Sequence, residues 1–384
     1  MSRGLALGLA IRLAVWLAVG SAVAAEPAVR PDGSGNHPTI QSALDAAADG
    51  DVIRLAPGIY GGPGNLDLDF RGKAVTLLGD EAAPETCVLD LGTAPAGTAG
   101  RALFFHTFET RDSQIRGLAL IGGDVPAHPE SQGLGGAVLC LGASPTFVAC
   151  LFRGNWALNG GAVAIQNGAP LFRDCRFQQN SAEIGGAVFS NPGDPEFSGC
   201  TFAGNTAARG GGLSGMGGTV RIAGCVFYAN SATQGGAVAA DRSAVLILDF
   251  SLLDNNFASF GGAVFVQAAG VEVRQSTLAW NSAGSGGGLH LGAGAQARLR
   301  QTLITGGVRG AAFGAEGSVT LDVACCLVWG NAGGDWTGPA AHLAATAGNL
   351  EQDPQLQDPG ARDFRPRPGS PCPIQECGAI GAFR

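Results

Sequence analysis

The residues of this sequence that could do chemistry are thinly spread. Ten cysteines, 31 acids, 23 basic residues and five histidines are distributed over 384 residues, and only 14% of the chain is charged. Four of the cysteines, Cys150, Cys175, Cys200 and Cys225, stand 25 residues apart. Thiols at a constant interval mark equivalent positions of a repeat. Stacked in register, their Cβ vectors run side by side, which does not suit a disulfide, and a column of four makes no tetrahedral metal set. The expected role is that of a small buried packing residue, taken over in the next two units by Ser251 and Ser276. The Cys325–Cys326 pair adds one thiol to the column and one outlier. Cys372 and Cys377, close together near the end of the sequence, are the disulfide candidate.

Binding chemistry is best served by one strip. Segments carrying Phe152, Phe177, Phe202 and Phe227 point Arg153, Gln178, Ala203, Tyr228, Asp254 and Ala279 to the opposite side, flanked by Arg176 and Trp280. An aromatic ring one repeat from a carboxylate can stack on a sugar ring and hydrogen-bond it. Arg153, Gln178, Tyr228, Asp254 and Trp280 are therefore the candidate ligand-binding residues. Two irregular loops are further candidates, because loops that interrupt a regular scaffold often carry function. The first, 122–133, holds Asp124, His128 and Glu130; the second, 333–349, holds Asp335, Trp336 and His342. Their spacing matches no zinc signature, so no metal site is expected. A third strip, Leu139, Ala164, Phe189, Ser214, Ala239, Phe265 and His290, is mostly apolar. It reads as a packing or adhesive face, or one covered by a turn, with His290 a solvated single histidine.

The elements that must position these residues are set by glycine. It supplies 63 of the 384 residues, against a usual share of about 7%, which excludes an ordinary helical enzyme because Gly weakens helix interiors. No G-X-Y period runs through the chain, so collagen is excluded too. Gly-Gly pairs begin at 135, 160, 185, 210, 235, 261 and 286. Between them lie short alternating runs bounded by Gly, Asn and Pro, which suit strands rather than helices. Equal-length units of strand and turn stack with equivalent strands parallel. Two apolar columns should point inward: Phe152 to Val328 through successive repeats, and Val138, Val163, Val188, Leu213, Val238, Val264 and Leu289. An asparagine column, Asn155 to Asn281 and Asn331, should sit at the turns, where stacked amides hydrogen-bond along the axis. The expected fold is all-β, a single-stranded parallel β-helix of about 11 coils, roughly 50 Å long. A short capping helix is expected over Thr39 to Ala48.

The boundaries follow. Residues 1–25 read as a secretory signal peptide, with Arg3 and Arg12 flanking short apolar stretches and an A-x-A site at Ala22-Val23-Ala24; 26–51 form an N-terminal cap, 52–332 the β-helix with its regular repeats over 135–310, and 333–384 a C-terminal capping segment. No other segment is long and apolar enough to span a membrane. The formal net charge is −8 with no basic run, which makes nucleic acid a poor partner. A secreted, periplasmic or cell-surface location in a bacterium is the expectation.

The GGAV and FxxN signatures, as in Gly160 to Val163 and Phe177 to Asn180, resemble the repeats of chlamydial polymorphic outer membrane proteins. The segment PTIQSALDAAADGDVIRLAPGIY and the coil organisation resemble bacterial right-handed parallel β-helix proteins of the pectin-lyase-like superfamily. The stretch from Asp353 through Phe383 is similar to the closing segment of choice-of-anchor Q proteins. The resemblance implies a right-handed solenoid. It also implies where a sugar-cleaving enzyme would carry its residues, but the polygalacturonase motifs NTD, paired DD, GHG and RIK do not occur, and the only lysine available as a lyase base is Lys73. The favoured reading is a non-catalytic surface for adhesion or glycan binding at the cell envelope, with extracellular glycans or surface proteins as partners and no cofactor. The alternative is a pectate-lyase-like or polygalacturonase-like enzyme acting on uronate polymers, in which Ca²⁺ would enter only for the lyase.

Overall fold

The computed structural model describes residues 29–93, 100–125, 132–344, 346–374 and 377–382. The signal-peptide segment and the loop residues His128 and Glu130 lie outside the described residues. The chain winds as an all-β parallel solenoid of about 11 coils. Sheet I has 11 strands, from Val52–Arg54 to Thr320–Ala324; sheet II has 11, from Gly58–Tyr60 to Leu327–Trp329; sheet III has nine, from Leu103–Phe105 to Phe313–Ala315. Every ladder within these three sheets is parallel, with partners one coil apart, as in Phe152↔Phe177 and Val163↔Val188. A fourth, four-stranded sheet forms a rib from Thr206–Arg209, Ser231–Gln234, Phe257–Phe260 and Ser282–Ser285.

The interior is built from ladders of like residues. Phe152, Phe177, Phe202 and Phe227 stack at 4.7, 4.6 and 4.4 Å between ring centroids, within 7° of parallel. A second ladder, Phe147, Phe172 and Phe197, stacks at 4.9 Å on the inner side of sheet I and meets the first edge to face. Offset stacks and edge contacts are the arrangements ring quadrupoles favour, and each fully buried Phe contributes roughly 1.5–3 kcal/mol by transfer alone. The cysteine column is buried and unbridged. Each thiol donates to the carbonyl two residues back, Cys150 to Val148 at 3.4 Å and Cys175 to Arg173 at 3.4 Å. Burial pushes the Cys326 thiol up to about 12, so it stays protonated and inert.

The asparagine column is buried, and the left-handed turn conformation falls on the residue before each Asn, as at Gln179, Ala229, Asn255 and Trp280. Asn itself is used for its amide. At the Gly-Gly pairs the first glycine has φ between 62° and 71°, a region open to Gly without penalty.

The single α-helix among the described residues, Ile40–Ala46, closes one end. Thr39 and Ser42 cap it reciprocally, and Ile40, Ala43 and Leu44 join the core. Lys73 Nζ donates to the carbonyls of Leu44, Asp45 and Ala47, each at 2.8 Å, which satisfies orphan acceptors of the helix end. At the other end Trp336 and Ala340 join the core, with Trp336 5.8 Å from Phe313. The chain then returns along the outside of sheet II. Leu356, Phe364, Cys372 and Ile380 of this returning segment pack on Leu252, Ala279, Leu303 and Leu327. Cys377 bonds to Cys325, with the two Cα atoms 5.5 Å apart. This corrects the expected Cys372–Cys377 pair: Cys325 is the outlier of its pair, and Cys372 is a buried free thiol under the segment. No described helix is long and apolar enough to cross a membrane.

Candidate functional site

The outward residues of sheet II are not one open strip. Arg153 is exposed and Gln178 half-buried on neighbouring strands, but the returning segment covers the rest. Asp254 is 1% exposed and accepts from Arg362 Nε at 2.7 Å. The same guanidinium lies 4.0 Å from the ring centroid of Tyr228, so both residues dock the segment. Burial pushes the Asp254 carboxyl up, and Arg362 opposes that rise. The expectation of an open Tyr228–Asp254 sugar pair is thus corrected, because the tail supplies its own partner for each. Trp280 remains half-buried and packs 5.5 Å from Phe364. Arg176, beside the strip, pairs with Glu85 at 2.8 Å.

The loop candidates are also structural where they are described. Asp124 pairs its strand, Asp124–Val125, with Trp156–Ala157. Asp335 accepts from the backbone nitrogens of Gly330 at 3.0 Å and Asn331 at 2.9 Å and from the Asn331 amide at 2.7 Å, fastening the turn that lets Trp336 close the solenoid. His342 lies in the exposed turn beyond it.

His290 is not solvated. The strip from Leu139 to His290 faces away from the central core but is buried throughout, because the rib and the Gly-Gly turns lie over it. His290 stacks on Phe265 at 5.6 Å, meets Phe260 of the rib edge-on at 5.1 Å, and places Nδ1 3.1 Å from Ser285 Oγ. Its Nε2 has no partner among the described residues. Burial holds the imidazole below its ordinary pKa, with Glu316 opposing. A folded-state pKa below the unfolded value of about 6.5 means the unfolded chain takes up a proton that the native state refuses. The stabilisation is complete above about pH 6.5 and declines as pH falls toward the lowered native value. His290→Phe, which would extend the Phe265 stack, should flatten this acid limb by up to about 1.4 kcal/mol per pH unit. Urea midpoints of both proteins across that range check it; parallel curves would refute it.

An open groove lies instead on sheet I, where the strands alternate inward aromatic or aliphatic residues with outward polar ones. It has a volume of about 640 Å³ and crosses five successive strands, roughly 19 Å at the spacing of parallel strands. Arg111, Arg173, Arg221 and Arg274 line it together with Glu196 and Asp249. Glu196, the register neighbour of Arg221, is held by Arg111 at 2.8 Å, and Asp249 by Arg274 at 2.8 Å. Arg173 and Arg221 are exposed and carry no ion pair among the described residues. Four guanidinium groups thus face two carboxylates, both already engaged. No group of three or more His, Cys, Asp or Glu arranged to hold a metal occurs among the described residues. These arginines were missed in the sequence, although their outward register is readable from Leu171-Phe172-Arg173 and from Val220-Arg221-Ile222.

Residues 135–304 match the family model described as "Right handed beta helix region". A crystal structure of pectate lyase Pel9A aligns over 93% of this chain and 96% of that chain at 17% identity, with a TM-score of 0.43. A search of curated protein sequences finds no significant match.

Proposed function

We propose that this chain is an exported, non-catalytic β-helix that presents an elongated surface for glycan binding at the cell envelope, and that sheet I takes a linear acidic glycan. The observation that carries this reading is the groove with two unpaired guanidinium groups, Arg173 on the first of its five strands and Arg221 on the third. Guanidinium matches carboxylate and sulfate in planar, two-pronged hydrogen bonds and is more weakly hydrated than ammonium. A flat run of parallel strands offers the same backbone spacing from coil to coil, which suits a ligand that itself repeats. The non-catalytic part rests on the two groove carboxylates: Arg111 holds Glu196 and Arg274 holds Asp249, each at 2.8 Å, so neither is free to reach a glycosidic oxygen.

The test is binding of immobilised polygalacturonate and alginate over a salt series, with wild type and the Arg173→Ala/Arg221→Ala double variant. Hydrogen bonds to charged groups contribute about 1.5–3 kcal/mol each, so the double variant should bind at least tenfold more weakly. Salt should weaken the wild type more than the variant. Equal loss from Arg242→Ala, an exposed arginine outside the groove, would remove the groove from the account. Release of unsaturated products or new reducing ends would overturn the non-catalytic reading.

A further inference from the structure

The returning segment makes a second cleft, on sheet II rather than on the sheet that carries the arginine groove. Its volume is about 410 Å³. Trp280, Thr305 and Trp329 of sheet II and its turns form one side, and Asp353, Gln355 and Arg367 of the segment stand on the other. From this geometry we infer that the cleft is a binding site for a neutral sugar ring, separate from the acidic-glycan groove and independent of it.

The indole rings are the first argument. Trp280 occupies the left-handed turn position that precedes each ladder asparagine, with φ 51°. Equivalent positions in other coils are Gly154, Gln179, Gly204, Ala229 and Asn255, so the coil itself has no need of a large ring there. Room for the ring is made by Gly306 of the next coil. A Cβ at Gly306 would stand 2.4 Å from Trp280 Cδ1 and 2.5 Å from Nε1. Trp329, 40% exposed, ends the last strand of sheet II. Its register partner is Thr305, whose own partner is Ala279, the neighbour of Trp280. The two indoles therefore come from coils two apart, about 10 Å along the axis. An exposed ring at the mouth and a half-buried ring in the wall give apolar surface at both ends of one cleft.

The polar groups are the second argument. Asp353, Gln355 and Arg367 are exposed and bring a carboxylate acceptor, an amide with both functions and a guanidinium donor to one rim. Mixed donors and acceptors beside aromatic faces fit a ring with apolar C–H faces and a hydroxyl edge. An anionic ring would meet the Asp353 carboxylate. Asp353 accepts from Gln355 N at 2.8 Å and Arg367 donates to Gln357 O, so a purely apolar ligand would leave the Gln355 amide and the remaining sites of those two groups without use. The wall itself is fixed in place by the Arg362–Asp254 ion pair, by Ala382 N donating to Thr277 Oγ1 at 3.0 Å, and by the Cys325–Cys377 bond.

The experiment is calorimetric titration of the full chain with cellotetraose, maltotetraose and chitotetraose, alongside tetragalacturonate, with indole fluorescence followed in parallel. At least one neutral tetrasaccharide should bind and quench. Trp329→Ala, at an exposed position, should weaken that binding at least tenfold while leaving the thermal midpoint in place. Asp353→Asn should weaken it several-fold. Cys377→Ser should weaken it as well, because one tether of the wall is lost. No binding by any neutral probe, equal binding by Trp329→Ala, or tighter binding of tetragalacturonate at this cleft would overturn the inference. Because the arginine groove is assayed with acidic polymers and other variants, either site can fail without the other.

Discussion

Asn205→Ala should lower the stability of the solenoid by about 3–5 kcal/mol, since each buried polar group left without a partner costs about 1–3 kcal/mol. Asn205 is fully buried. Its Nδ2 donates to Asn230 Oδ1 at 2.9 Å and to Phe177 O at 3.0 Å. Its Oδ1 accepts from the backbone nitrogen and the Nδ2 of Asn180, both at 3.0 Å. Alanine would orphan groups in two neighbouring coils at once, where no water replaces the amide without a cavity to hold it. The ladder also predicts a gradient. Asn281 receives both bonds from Asn256 and donates to Leu253 O, but the next coil carries Gly307 where an asparagine would continue the run. Asn281→Ala should therefore be milder than Asn205→Ala. Urea midpoints with hydrogen exchange of the flanking coils decide the matter; a loss below about 1 kcal/mol at Asn205 would mean the ladder is not a stabilising element.

The ladders were legible because a 25-residue period repeats the same environment many times, so that one well-placed column fixes the register of all. Phe152 to Phe227, Val138 to Leu289 and the asparagines all fall where that period puts them. Contacts outside the period were not legible. Arg362 reaches Asp254 across 108 residues, and Cys377 reaches Cys325 across 52. Neither distance is a multiple of the coil, and nothing local to Asp254 marks it as covered. The burial of His290 does have a signal in the sequence. Ala207, Ala232, Ala258 and Ala283 form a column two residues after each asparagine and are all buried, the mark of the rib that lies over that strip. The sheet I arginines stood in a plain inward-outward alternation. What the sequence does not carry is which of them pair, because Arg111 reaches Glu196 from a loop 85 residues earlier.

Gly186→Ala should be at least as damaging as the loss of a ladder amide, and for a steric rather than a polar reason. The backbone at Gly186 has no positive φ to protect, so conformational freedom is not what glycine provides there. A Cβ on Gly186 would stand 2.1 Å from Gly211 O and 2.7 Å from Thr206 O, both backbone atoms of the next coil. The same collision recurs at Gly136, Gly161, Gly211, Gly236 and Gly262, at 2.2 to 2.5 Å from the carbonyl of the matching glycine. Backbone cannot rotate away as a side-chain tip can, so the coils must separate. Overpacking in rigid interiors costs about 1–3 kcal/mol and more where nothing yields. Separation here also breaks the parallel hydrogen bonds on either side, and a loss above about 3 kcal/mol is expected. Gly270→Ala is the matching control: it lies in a strand of sheet I, its Cβ would meet nothing within 4 Å, and its φ is not positive. That change should be neutral or stabilising by about 0.4–1 kcal/mol through the unfolded chain. Equal thermal midpoints for Gly186→Ala and Gly270→Ala would show that close approach of successive coils is not what the second glycine of each pair secures.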